Sequence, residues 1–100
     1  MNTQFSFDDL YSKAEEFVIS KQWSECLVTL NTISNLYQPT SQLLVNKAIC
    51  YFRIGDIGAA IQCCEESLGL DIDNDDALTL LLKLRDRLKD MREYTMGPYS

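Results

Sequence analysis

An all-α fold of stacked helical pairs is what this sequence predicts, and three observations carry the prediction. The chain lies on itself without a gap when shifted by 34 residues: Leu10 falls on Leu44, Lys13 on Lys47, Ala14 on Ala48, Phe17 on Tyr51, Trp23 on Ile57, Cys26 on Ala60, Leu27 on Ile61 and Leu30 on Cys64. A fixed period of that length marks repeated supersecondary units, because one helical pair cannot bury its own apolar face and needs a neighbour. Within each unit the apolar residues recur three and four positions apart, the spacing of a helix face. Finally, 4 Gly and 2 Pro in 100 residues are too few for an all-β or disordered chain.

The elements follow in order. Residues 1–6 form a flexible lead, and Ser6 or Phe7 begins a first helix whose opening turn carries Asp8 and Asp9, charges that favour a helix amino terminus. Leu10, Ala14, Phe17 and Val18 give it an apolar face to about Ser20. After the polar break Ser20-Lys21-Gln22, a second helix starts at Trp23 and runs to about Tyr37, where Gln38-Pro39-Thr40 stops it. Thr40 or Ser41 caps a third helix ending near Gly55, and Gly55-Asp56 turns the chain into a fourth that holds Ile57, Ala60, Ile61, Cys64 and Leu68. The acidic linker Asp71 to Asp76 supplies the next cap, and Ala77, Leu81, Leu84, Leu88 and Met91 mark a fifth helix over 75–92. A flexible tail, 93–100, follows.

The residues that carry the period resemble a known family. Leu44, Lys47-Ala48, Tyr51, Gly55-Asp56-Ile57, Ala60, Cys64 and Ser67 in the unit 41–74, and Leu10, Lys13-Ala14, Phe17, Trp23, Cys26, Leu30 and Ile33 in the unit 7–40, are similar to the tetratricopeptide (TPR) repeat pattern. Departures are Lys13 and Lys47 in place of the usual Leu, and Ile72 in place of Pro. The resemblance implies a helix-turn-helix solenoid of about two and a half repeats, five helices over residues 7–92. Ala14, Ala48, Cys26 and Ala60 would stand where paired helices approach closely.

Charge and composition narrow the function. Residues 1–76 hold four basic and twelve acidic groups, residues 77–100 five and three, so a Lys/Arg cluster exists only on the last helix and nucleic acid is not an expected partner. An acidic body favours encounter with basic or neutral proteins. The uncharged stretch Cys26 to Asn46 contains Asn31, Asn35, Gln38, Pro39 and Gln42, so it reads as helix-loop-helix rather than a membrane span. No basic segment followed by an apolar run opens the chain, so neither secretion nor membrane insertion is expected. A cytoplasmic location follows as the expectation, with Cys26, Cys50, Cys63 and Cys64 as reduced small hydrophobes.

Candidate chemistry fails on residue types. Asp71, Asp73 and Asp75 alternate like the start of a calcium loop, but Asp76 stands where such a loop needs Gly, and Leu82 where it needs Glu. The cysteines are 24, 13 and 1 residues apart, not in the close pairs of a zinc site. The chain has no histidine and no Gly-rich loop, so catalysis is not expected, nor any metal or cofactor.

One apolar stripe exceeds what the repeat needs. Leu44, Ala48 and Tyr51 serve packing on the third helix, yet Val45, Ile49 and Phe52 form a second row beside them. The resemblance implies a concave groove lined by Tyr11, Glu15 and Val18 of the first unit and Val45, Asn46, Ile49 and Phe52 of the second. Leu80, Leu82, Lys83 and Arg87 are further partner-facing candidates on the last helix. Two readings of the stripe stay open: burial by the fifth helix or by Phe5 and Phe7, or a groove for an apolar or amphipathic helix or peptide of another protein. The small acidic TPR chaperones of bacterial type III secretion are similar in size, charge and groove, and imply a bound secretion subunit and sometimes a second small co-chaperone. The alternative is a eukaryotic TPR co-chaperone or scaffold adaptor that clamps a peptide carboxylate; Tyr11, Glu15, Asn46, Asp76 and Leu80 stand at the clamp positions, and only Asn46 matches.

Overall fold

In a computed structural model of the chain, residues 6–96 are described, with side chains described to Arg92. They form five α-helices: α1 (Phe7–Ile19), α2 (Trp23–Leu36), α3 (Ser41–Arg53), α4 (Ile57–Leu70) and α5 (Asp75–Met96). The expectation of an all-α chain is met. Residues 93–96, expected as tail, instead continue α5, while the other expected flexible residues, 1–5 and 97–100, lie outside the described residues.

Side-chain caps set four of the five helix starts, α2 being the exception. Ser6 accepts from the Asp9 N–H while the Asp9 carboxylate accepts from the Ser6 N–H, a reciprocal cap. Thr40, Asp56 and Asn74 side chains likewise accept from the N–H groups of Leu43, Ala59 and Ala77. The 34-residue period is physical: the N–H groups of Leu10, Leu44 and Leu78 bond the carbonyls of Ser6, Thr40 and Asn74 at 3.0, 3.1 and 3.1 Å. The α1–α2 and α3–α4 turns repeat as well, with Gln22 and Asp56 donating to Phe17 and Tyr51, both at 2.8 Å.

Each of those turns needs one left-handed residue, supplied by Lys21 (φ 59°) in the first and Gly55 (φ 93°) in the second. A side chain in that conformation costs about 1–2 kcal/mol. A methyl at Gly55 would meet nothing within 4 Å, so Gly55→Ala should cost about 1 kcal/mol from backbone strain alone. Lys21→Gly should stabilise by less, under about 1 kcal/mol, because glycine also gains freedom in the unfolded chain. Thermal denaturation followed by circular dichroism checks both; a Gly55→Ala variant as stable as the parent contradicts the assignment.

Each helix packs against its neighbour in the chain, and α3 also meets α5. Small residues permit the close approach of paired helices. Ala14 sits against Cys26, whose thiol points to the Ala14 carbonyl at 3.4 Å, and the equivalent Ala48 and Ala60 are fully buried in the second unit. Two apolar clusters result. Ala14, Cys26, Leu30 and Ile33 join Leu43 and Cys50 of α3, whereas Ala48 of α3 joins Ile57, Ala60, Cys63 and Cys64 of α4 and Leu81 and Leu84 of α5. Thus α3 belongs to both.

A polar joint fixes the far end of this second cluster. Ser67 is fully buried; its hydroxyl donates to the Ser41 carbonyl at 2.8 Å and lies 2.6 Å from the Ser41 hydroxyl. Asn74 Nδ2 donates to that Ser41 hydroxyl at 2.7 Å while its Oδ1 caps α5. The start of α3, the end of α4 and the start of α5 are therefore tied at one point. An ion pair between Arg85 and Glu65 at 2.9 Å also joins α5 to α4, but both side chains are half exposed, so it adds little.

Candidate functional site

The faces of α1, α3 and α5 bound two adjoining clefts, one on each side of α3. The first, about 390 Å³, has Ala14, Cys26 and Leu30 at its base and Tyr11, Glu15, Val18 and Ile19 of α1 along one side, with Gln42 and Asn46 of α3 opposite. The second, about 260 Å³, lies between Gln42, Val45 and Ile49 of α3 and Asp76, Thr79, Leu80 and Lys83 of α5. Gln42 borders both, so the clefts are contiguous across α3.

A short polar relay spans the first cleft. Gln42 Nε2 donates to Asn46 Oδ1 at 3.4 Å, and Asn46 Nδ2 donates to the Tyr11 hydroxyl, linking α3 to α1. Burial pushes the Tyr11 phenol above its ordinary pKa, the nearby Glu15 carboxylate pushes it further, and the Asn46 hydrogen bond only partly offsets them. The phenol stays neutral at physiological pH. The thiols are inert for the same reason: burial raises Cys50 to about 12 and Cys64 to about 11, and Cys26 and Cys63 are raised too. No group of three or more metal-ligating side chains converges among the described residues. In the linker, the Asp71 carboxylate accepts from the Asp73 N–H at 3.0 Å, a local turn.

The predicted groove residues separate into three sets. Tyr11, Glu15, Val18 and Asn46 line the first cleft, and Val45, Ile49, Leu80 and Lys83 the second. Val45 differs from the expectation of an open wall: it is 2% exposed and forms the floor, because α5 closes over that part of α3. Phe52 borders neither cleft; it is half-buried against the α3–α4–α5 cluster. Phe7 does not cover the stripe either, since its ring stacks on Tyr11 and meets Tyr37 edge-on, both at 5.5 Å, while Phe5 lies outside the described residues. Of the stripe, Ile49 alone is half-buried in a cleft wall.

On α5, Leu82 and Arg87 lie outside the cleft that Leu80 and Lys83 line. Leu82 is 34 residues after Ala48, which packs against α4, and no helix covers the corresponding face of α5 among the described residues. It is left 55% exposed. Sequence reasoning passed over Gln42, Ile19 and Thr79, and met Asp76 only as a clamp position that does not match. The signal for Gln42 was present: it precedes Val45 by three and Asn46 by four, so it shares their helix face.

No protein-family model matches the chain, and no curated protein matches it significantly. The described residues form an all-α fold with a two-part cleft, and no helix among them is long and apolar enough to cross a membrane.

Proposed function

We propose that this chain is a tetratricopeptide-type repeat domain that binds another polypeptide, holding an apolar or amphipathic helix of a partner in the contiguous clefts beside α3. The observation that carries the reading is that α1 and α5 stand apart around α3, leaving Ile49 and Leu80 half-buried at the mouth of a cleft. A helix laid there would complete their burial at about 25 cal/mol per Å² of apolar surface. Repetition of the same cap and turn hydrogen bonds at the 34-residue period supports the repeat assignment. The small acidic chaperones of type III secretion, which hold a secretion subunit in the cytoplasm, are the class this reading fits best.

Ile49→Asp tests it, because Ile49 borders the cleft without belonging to either buried cluster. Capture of an amphipathic helical peptide should weaken at least tenfold, on the order of 1.4 kcal/mol, with helicity by circular dichroism unchanged. Binding carried by the apolar anchor alone should be insensitive to salt. Phe52→Asp is the poorer probe, since Phe52 also packs against the core. Unchanged capture by Ile49→Asp overturns the assignment of the site.

A further inference from the structure

Glu15, Ile49 and Lys83 are successive residues of a 34-residue series, and the structure gives that series a geometric meaning. The helices that carry them start at Ser6, Thr40 and Asn74, each bonding the N–H four residues on, so all three side chains stand nine residues into their helices. They form one rung across α1, α3 and α5. Glu15 lies in the cleft on one side of α3, Lys83 in the cleft on the other, and half-buried Ile49 lies between them. Neither Glu15 nor Lys83 makes an ion pair among the described residues. Asp76, the other charged residue of the second cleft, is seven residues before Lys83, about 10 Å along α5, and so leaves this rung.

Resting on the binding function above, the geometry points to a partner helix that carries its own complementary charge pattern along its apolar face. Its apolar anchor meets Ile49, a cation meets Glu15 and an anion meets Lys83. Packing of α3 against α5 brings Lys83 close to the anchor, whereas α1 and α3 share no close backbone contact, so the cation stands farther from the anchor than the acid does. All three must share one face of the partner helix, which makes the motif a cation, then an apolar residue, then an acid, in that order along the face. Dipole and charge then agree on orientation: the amino-terminal end of the partner lies beside Glu15, its carboxy-terminal end beside Lys83.

Four synthetic helical peptides with identical apolar anchors test this, their end positions being Lys and Glu, Lys and Lys, Glu and Glu, or Gln and Gln. At low salt the Lys/Glu peptide should bind the parent chain best, by about tenfold over the Gln/Gln peptide, with the advantage fading as salt screens the pairs. Glu15→Lys should transfer the preference to the Glu/Glu peptide, and Lys83→Glu should transfer it to the Lys/Lys peptide. Both residues are exposed and outside the core, so the variants should fold as the parent does. Equal binding of all four peptides by parent and variants overturns the charge rung and leaves the groove standing. Failure of every peptide, Gln/Gln included, overturns the groove itself and the rung with it.

Discussion

Leu84→Ala should lower the unfolding free energy by about 3 kcal/mol, the ordinary cost of removing a leucine side chain from a closed core. Leu84 is 1% exposed in the cluster with Ala48, Ile57, Ala60, Cys63, Cys64 and Leu81, so truncating it leaves a cavity that close-packed neighbours fill only in part. For a domain of this length the loss corresponds to a fall in Tm of roughly 12–24 °C. Leu82→Ala, two residues away and 55% exposed, should change stability by no more than about 0.5 kcal/mol. Urea unfolding of the two variants side by side checks the facing of α5; comparable losses would mean that helix is rotated from the position described.

Asn74→Ala should cost about 2 kcal/mol through two separable effects. The Asn74 carbonyl oxygen caps α5, worth about 1 kcal/mol, and its amide nitrogen donates to Ser41 in the joint with buried Ser67. Asn74→Asp keeps the capping oxygen and loses the donor, so it should recover part of the loss. Thermal melts of both variants measure the split. If Asn74→Asp is no better than Asn74→Ala, the cap contributes nothing.

Most of the fold was legible because it is written twice. Ala14 and Ala48, Cys26 and Ala60 could be matched by eye, and the residues flanking each turn announced themselves by polarity. The end of α5 was not legible: Gly97-Pro98 drew the expected boundary back to residue 92, whereas helical geometry needs no break before Met96. The site was half legible. Periodicity put Val45, Ile49 and Phe52 on one face, but the depth of each depends on where α5 rests, which no spacing within α3 records. The bond from Asn46 to Tyr11 joins residues 35 apart and depends on the spacing between α1 and α3.

Because α3 contributes Leu43 and Cys50 to one cluster and Ala48 to the other, loss of order need not spread evenly through the chain. Detaching α1 and α2 leaves Ala48 and its companions from α4 and α5 in place, whereas melting α3 dismantles both halves at once. Amide protons should accordingly exchange with solvent deuterium earliest in α1 and latest in the middle of α3, a gradient of local opening set by how many neighbours each helix must abandon.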